Sequence, residues 1–371
     1  MVTILACGDI GVKRADATSM FAAVAPGLRA ADLVIGQLEC AISERGARVP
    51  NAKLAMRAPP AMARAVRDAG VSLMSFAGNH CLDYGYDAFE DTFRHAHEAG
   101  IGLCGAGPQL AAARQALVRT VAGLRVAVLA ASAILPEGYA AEADKPGCAP
   151  LRAHTLYEQV EHDQPGTPAR IRSFAHRADR DALCEAVRAA RGGADVVLVS
   201  LHWGIHMVPV TIAEYQIEVA HALIDAGADA ILGHHPHVLK GIEIYRDRPI
   251  YYSLGNFAIE QPQVWDPAIT RSASFRDLVS LNPTWRPHER YTLPEVTRLT
   301  GLAKLLVTAD GRPEARFTPA WIGDDSAPRL LDPADPRFAR IGQFLAESSA
   351  EAGFATQLRT IDGDFQLQGP G

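Results

Sequence analysis

The chain has 371 residues, of which 48% are hydrophobic and 21% charged, and its net charge at pH 7 is −6. This size and composition predict a folded protein with one large α/β domain or two smaller ones. The charge offers no basic patch for nucleic acid or anionic membranes, and no apolar run approaches the ~20 residues of a membrane span.

The N-terminal segment and the cysteines indicate the cellular compartment. The segment "MVTILACGDIG" enters a strand at once and lacks the basic and apolar regions of a signal peptide. The six cysteines are scattered and form no C-x-x-C pair. We therefore expect a cytoplasmic protein with reduced thiols.

Strand and helix patterns alternate along the first 240 residues. In chain order they predict strand 2–10, helix 21–32, strand 33–40, helix 59–70, strand 71–80, helix 86–100, strand 101–107, strand 124–132, and two helix–turn–strand units over 180–204 and 213–237. Such alternation is typical of an α/β fold whose sheets are covered on both faces.

The pattern changes after residue 240. Residues 241–257 and 303–322 read as hairpins, the second with an Asp-Gly turn, and 335–353 reads as a closing helix. We expect residues 1–325 to form one domain and 326–371 a helical extension packed on it. Two segments, 132–176 and 260–300, interrupt the pattern and are predicted to be loops that cover a substrate site.

Side chains that bind metals stand where the predicted strands end. Three histidines crowd the segment "AILGHHPH", and further candidates follow other strands. The candidates are Asp9, Glu39, Asn79, His80, His202, His234, His235 and His237. Ligands of open α/β sheets gather at the carboxyl ends of strands. Each residue alone has an ordinary alternative, such as a cap, a turn or a core position, but mixed nitrogen and oxygen donors in this order suit a dinuclear Mn, Fe or Zn site.

The order of these motifs resembles a known family. The succession GD, LE, GNH, HWG, GHHPHV and YSLGNF over about residues 1–325 resembles the CapA (poly-γ-glutamate capsule synthesis) family, a branch of the calcineurin-like metallophosphoesterases. The resemblance implies a four-layer αββα sandwich of the metallo-dependent phosphatase type, with a C-terminal β-hairpin and helix extension. It also implies two divalent metal ions.

The resemblance assigns roles to individual residues. One metal would be held by Asp9, the bridging Glu39 and His237. The other would be held by Glu39, Asn79, His202 and His235. His80 would be the acid/base, oriented by Asp83.

Four further residues have less defined roles. His234 would orient a ligand through its other nitrogen. Trp203 would either support a ligand or offer an apolar surface to a substrate, with ordinary packing as the alternative. His206, four residues after His202, is either a loop histidine or a second base that contacts the substrate. Gln37 stands where CapA-like chains usually have Asn.

Two departures from the pattern bear on function. The superfamily has Asp-x-His at its first motif, whereas this chain has Asp9, Ile10 and Gly11, so one metal loses a protein ligand. CapA proteins of capsule operons are typically anchored in a membrane, and the sequence shows no anchor.

Three functions are compatible with these residues. The preferred one is metal-assisted hydrolysis of a phosphoester or amide. The second is peptide epimerisation at Cα, as in CapA-like enzymes of lasso-peptide pathways, with His80 and His206 on opposite faces. The third is a non-catalytic role in polymer synthesis. We expect a small-molecule or peptide substrate, and neither a nucleic-acid nor a membrane partner.

Overall fold

The structure is a computed structural model that describes residues 1–52, 54–161, 167–260, 267–285, 291–308 and 313–370. The strands are β1 Val2–Gly11, β2 Leu33–Leu38, β3 Ala41–Ile42, β4 Arg57–Ala58, β5 Leu73–Ser75, β6 Gly102–Cys104, β7 Ala106–Gly107, β8 Leu117–Val121, β9 Leu124–Ser132, β10 Gly147–Cys148, β11 Ala153–Glu158, β12 Arg170–Ala175, β13 Val196–His202, β14 Ala230–His234, β15 Ile242–Tyr245, β16 Arg248–Tyr251, β17 Asn256–Ile259, β18 Leu299–Val307, β19 Pro313–Ile322, β20 Pro328–Leu330, β21 Gln357–Ile361 and β22 Asp364–Gln368.

The α-helices are α1 Ala25–Arg29, α2 Ala61–Ala69, α3 Gly85–Glu98, α4 Leu110–Ala113, α5 Arg177–Arg191, α6 Glu214–Asp225, α7 Pro267–Thr270, α8 Ala273–Leu281 and α9 Pro336–Glu351, with 3₁₀ turns at Ala17–Met20 and Glu295–Arg298. Within the described ranges, none of these helices has the length and apolar character needed to cross a bilayer.

Two large sheets form the centre of the molecule. The ten-stranded sheet has the order β21-β22-β19-β18-β1-β2-β5-β6, with β17 also paired to β1 and β20 to β19. The six-stranded sheet has the order β15-β16-β14-β13-β9-β8. The inner strands β1, β2, β5 and β6 run parallel, as do β9, β13, β14 and β16. Their carboxyl ends therefore meet at one edge of each sheet.

The side chains of the six-stranded sheet alternate between two cores. On β9, Val126 and Val128 join the core shared with the ten-stranded sheet. Ala127 and Leu129 point to the other face, which packs against α5 and α6 through residues such as Leu223. Helices α2 and α3 add Met62 and Phe89 to the core of the ten-stranded sheet, among other residues. The predicted four-layer αββα sandwich is therefore confirmed.

Local signals explain where the helices begin and end. Helix α2 buries Met62, Val66 and Ala69, which lie four and three residues apart on one face, and it ends at Gly70 with φ of 116°. The predicted helix over 21–32 is shorter in the structure. Only Ala25–Arg29 is α-helical, because Pro26 is tolerated only in the first turn of a helix.

The C-terminal extension contains strands as well as a helix. Helix α9 is present, but β21 and β22 follow it as a hairpin, and β22 pairs with β19. The extension thus adds strands to the edge of the ten-stranded sheet. Of the two predicted hairpins, β15–β16 is antiparallel as expected, and so is β18–β19. The Asp-Gly turn of the second lies outside the described residues.

The close approach of β1 to the chain before β17 depends on Gly8. A Cβ atom at Gly8 would lie 2.0 Å from the carbonyl oxygen of Gly255. Gly8→Ala is therefore expected to lower the free energy of unfolding by about 3 kcal/mol, since neither backbone can move without breaking sheet pairing. Gly11→Ala is the matched control on the same strand, because its nearest contact is 3.5 Å. Urea denaturation checks this expectation, and equal midpoints for the two variants would contradict it.

Candidate metal centre

The predicted ligands come from the carboxyl ends of strands in both sheets. Asp9 lies near the end of β1, Glu39 directly follows β2, and Asn79 lies beyond β5. The six-stranded sheet supplies His202 at the end of β13 and the His234–His237 turn after β14. The two sheets therefore close around one cluster, as the strand-end positions predicted.

The centre of the cluster is a buried group of three side chains. Asp9, Glu39 and His202 each offer a ligand atom, and these atoms all lie within 4.8 Å of one another. Nε2 of His202 donates to Oδ1 of Asn79 at 2.6 Å, and Nδ1 of His202 lies 3.1 Å from Oε1 of Glu39. With the proton on Nε2, the lone pair of Nδ1 faces a carboxylate oxygen. A cation would stabilise this arrangement of two acceptors.

The histidines after β14 surround Asp9. Nδ1 of His237 lies 3.0 Å from Oδ2 of Asp9, and Nδ1 of His234 lies 3.3 Å from Oδ1. His235 (φ 90°) and His237 (φ 57°) both have left-handed backbone conformations. Such conformations are uncommon for residues other than glycine and concentrate at functional sites. Here they turn the imidazole of His237 toward Asp9 and that of His235 toward His202, whose ring is 4.9 Å away.

Among the described residues, several buried polar atoms of the cluster have no hydrogen-bond partner. They are Asp9 Oδ1, Glu39 Oε1, Gln37 Oε1, His202 Nδ1, His234 Nδ1 and His235 Nδ1. Buried polar atoms are nearly always paired in folded proteins. The imidazole nitrogens and carboxylate oxygens among them are the kinds of atom that coordinate Mn, Fe and Zn in proteins. The residues present therefore fit divalent metal ions.

The ionisation of the cluster agrees with this fit. Burial raises the pKa of Glu39 well above its usual value, and the nearby Asp9 and Asp83 carboxylates raise it further. Burial also opposes ionisation of Asp9, but the neighbouring imidazoles of His234 and His237 lower its pKa overall. Burial holds the pKa of His202 and His235 well below the usual value, so both rings are neutral, the form that binds metals.

His80 lies beside the cluster and belongs to a chain of hydrogen bonds. Its Nδ1 donates to Oδ2 of Asp83 at 2.7 Å, and its Nε2 accepts from Nδ2 of Asn79 at 2.9 Å. The side chain is 12% exposed, and Nε2 lies 3.8 Å from Oε2 of Glu39. Asp83 is fixed in turn by the hydroxyl of Tyr139 at 2.9 Å and by the backbone N–H of Met56. Asp83 therefore selects the tautomer with the proton on Nδ1, and Nε2 faces Asn79 and Glu39 as an acceptor.

Sequence reasoning missed two residues of the site. Tyr139 lies in a segment without periodicity, and no signal in the sequence separates it from a core tyrosine. Asn256 accepts from Nδ1 of His237 at 2.8 Å and pairs in register with Asp9. Its signal was the YSLGNF motif, which contributed to the resemblance but received no role.

Three other predicted residues occupy distinct positions. His206 is exposed, with its ring 5.4 Å from that of His235 and 5.2 Å from that of His237. Gln37 is buried and donates to the carbonyl of Ala77 at 3.1 Å, which places it beneath the cluster. Trp203 was expected to offer surface to a substrate, and this is corrected. It is fully buried, stacks on Tyr252 and donates to its carbonyl.

The hydroxyl of Tyr139 provides a test of the hydrogen-bond chain. Tyr139→Phe is expected to lower the free energy of unfolding by about 1–3 kcal/mol, because one oxygen of the buried Asp83 loses its partner. Thermal denaturation of both proteins measures the change. Tyr157→Phe is the matched control, since Tyr157 is 70% exposed. An equal stability of Tyr139→Phe and the control would contradict the role of this bond.

Comparison with known proteins identifies the family. The family model described as bacterial capsule synthesis protein PGA_cap matches residues 3–261, which include every candidate ligand. The chain belongs to this family. The predicted resemblance to CapA proteins is thereby confirmed.

Relatives of this PGA_cap chain carry capsule or polymer-synthesis names. It is 29% identical over 260 residues to the capsule biosynthesis protein CapA of Bacillus anthracis, covering 67% of this chain and 56% of the relative. It is 29% identical over 254 residues to the PGA biosynthesis protein CapA of Bacillus subtilis, covering 66% and 58%. A probable polyglutamine synthesis accessory protein of Mycobacterium tuberculosis is 32% identical over 231 residues, covering 61% and 55%. The match thus spans little more than half the length of these relatives.

Solved structures similar to the PGA_cap chain are more distant. A hypothetical protein from Thermus thermophilus has a TM-score of 0.44 at 17% identity, covering 89% of this chain and 99% of that one. A calcineurin-like phosphoesterase, YfkN of Bacillus subtilis, has a TM-score of 0.37 at 13% identity, covering 94% and 97%. The fold assignment rests on the sheet order and layers described above.

Proposed function

We propose that this PGA_cap chain is a metal-dependent hydrolase of a phosphoester or amide bond. The observation that carries the proposal is the group of buried potential metal-ligand atoms around Asp9, Glu39 and His202 that lack hydrogen-bond partners. This group lies directly beside the hydrogen-bonded pair His80–Asp83. A cluster that only stabilised the fold would not need a partly exposed imidazole held in one tautomer at its edge.

The ligands divide as the family resemblance implied. Asp9, Glu39 and His237 would hold one ion, and Glu39, Asn79, His202 and His235 the other, with Glu39 shared. When bound, such ions lower the pKa of water and stabilise negative charge on the group under attack. A phosphoryl or carboxyl-derived group suits this positive site.

The chain's own residues supply the proton transfer. Asp83 accepts from Nδ1 of His80 and stabilises the imidazolium form of the ring, from which Nε2 would give a proton to the leaving group. Tyr139 and the backbone N–H of Met56 hold Asp83 in place. His206, at the exposed side of the His235–His237 turn, is placed to contact the substrate.

One observation favours epimerisation as a second candidate. Of the imidazoles that reach solvent at the cluster, His80 and His206 are not assigned as ligands, and removal and return of a Cα proton need two protic groups. In this second reaction the substrate would be a peptide, and its connectivity would not change. A non-catalytic role in polymer synthesis, in line with the names of the relatives, is the third.

The test is a turnover assay on protein loaded separately with Mn, Fe or Zn. The probes are bis-p-nitrophenyl phosphate, p-nitrophenyl phosphate and γ-glutamyl p-nitroanilide, with chelator-treated protein as the control. We expect metal-dependent release of the chromophore from at least one probe. Incorporation of solvent deuterium into an uncleaved γ-glutamyl peptide would favour epimerisation over hydrolysis as the reaction. The absence of both activities in fully metal-loaded protein would contradict an enzymatic role. The cytoplasmic location and the absence of nucleic-acid and membrane partners stay predictions.

A further inference from the structure

Lys240 is a buried lysine without an acidic partner. It is 1% exposed, and its Nζ donates to the carbonyl of Thr211 at 2.7 Å and to that of Val208. In the part of the chain that the structure describes, lysine ion pairs form at Lys145 and Lys304 but not at Lys240. Burial lowers the pKa of Lys240 to about 7. Burying this ammonium costs free energy that an apolar side chain of the same length would not.

The segment that Lys240 contacts has a strained backbone. Residues 203–213 connect β13 to α6 and carry His206. Met207 and Val210 have φ of 51° and 63°. The left-handed conformation is a genuine outlier for a β-branched residue, and strain of this kind persists only when the surroundings impose it. The two carbonyls bound by Lys240 lie on either side of Val210, and the backbone N–H of Thr211 donates to the carbonyl of Pro209 at 2.7 Å, so these bonds together hold the turn at Val210.

One further contact attaches the same segment to the metal centre, and another attaches it to the residue that follows α8. The backbone N–H of Met207 donates to the carbonyl of Pro236 at 2.8 Å, between His235 and His237. The side chain of Asn282 donates to the carbonyl of Met207 at 3.3 Å. The position of His206 against the His235–His237 turn therefore depends on the bonds that hold residues 207–211.

We propose that Lys240 is a positioning residue, which holds segment 203–213 in its strained conformation and thereby places His206 over the metal centre, where His206 contacts the substrate. The substrate contact rests on the proposed function, whereas the holding of the segment does not. Lys240 itself touches neither a ligand nor the substrate site. Its donors, rather than its apolar stem, carry the role.

The test compares three variants of the full-length, Mn-loaded protein. Lys240→Met keeps the length of the side chain but removes the donors, Lys240→Arg retains donors, and Lys304→Met is a matched control at a remote lysine. The readouts are Mn content, thermal midpoint, hydrogen exchange of peptides covering 203–213, and kcat and KM with the chromogenic probe.

For Lys240→Met we expect full Mn content and an unchanged or higher thermal midpoint. Exchange within 203–213 should nevertheless be at least about tenfold faster, since each lost hydrogen bond is worth about 1 kcal/mol. KM should rise about tenfold with little change in kcat, because His206 contributes binding. Lys240→Arg should restore the protection, and Lys304→Met should not affect it.

Unchanged exchange in Lys240→Met would overturn the assignment, and so would loss of Mn, since Lys240 would then act on the ligands themselves. Failure of the proposed function is a separate result. It would appear as wild-type protein that turns over no probe, while the exchange data would still decide the role of Lys240.

Discussion

Replacing His235 with alanine is expected to remove at least one metal ion from the protein. His235 is 8% exposed, its Nδ1 lacks a partner and its ring lies 4.9 Å from that of His202. Loss of residues that merely support a ligand lowers metal affinity by about 10–100-fold, so loss of a ligand should cost roughly 100-fold or more. Mass spectrometry after dialysis measures the number of metal ions bound per chain, and chelator competition measures the metal affinity.

The fold should survive this change. The substitution removes a buried, unpaired imidazole, so the metal-free variant should melt at or above the temperature of the metal-free wild type. The stabilisation that metal adds to the wild type should be much reduced. His97→Ala is the matched control, because His97 is an exposed histidine on α3. Full metal occupancy in the His235 variant would contradict the proposal that His235 is a ligand.

Replacing His80 is expected to separate metal binding from activity. His80→Asn should keep the metal content and thermal midpoint close to those of the wild type, because the ring is partly exposed and its Nε2 lies 3.8 Å from the nearest oxygen of Glu39. Turnover should fall by about 10²–10⁴-fold, the usual contribution of positioned proton transfer. Metal content and kcat must be measured on the same preparation.

The outcomes for His80 are distinct. Loss of metal together with activity would make His80 a ligand. Unchanged turnover would remove it from the mechanism and favour His206 as the proton donor. Asp83→Asn provides an internal check, since an amide at this position no longer selects the tautomer with the proton on Nδ1. Its turnover should also fall, with metal retained.

The helices and strands with a clear periodic pattern of hydrophobic residues could be predicted from the sequence. Helix α2 could be assigned because a proline start, an apolar face and Gly70 agree on the same boundaries. The candidate ligands could be predicted because parallel strands present their carboxyl ends at one edge, and Asp9, Glu39 and His202 lie together in the structure. The predicted helix at 21–32 was too long, because tertiary packing and Pro26 limit α1 to one turn and a half.

Contacts that join distant segments were not predictable. Tyr139 reaches Asp83 across 56 positions of the chain, and Lys240 reaches Val208 across 32. A tyrosine or lysine in a loop looks the same in the sequence whether it is solvated or bonded to a buried partner. Trp203 shows the same limit, because an aromatic residue beside a ligand can face either the substrate or the core.

The most direct test of the metal centre is anomalous X-ray diffraction from crystals of the Mn-loaded protein. The account predicts anomalous peaks among the carboxylates of Asp9 and Glu39 and the imidazole of His202, at about 2.0–2.3 Å from the ligand atoms. The peak nearest His235 should be absent from crystals of the His235→Ala variant. Fully loaded protein whose only anomalous peaks lie away from these residues would contradict the account.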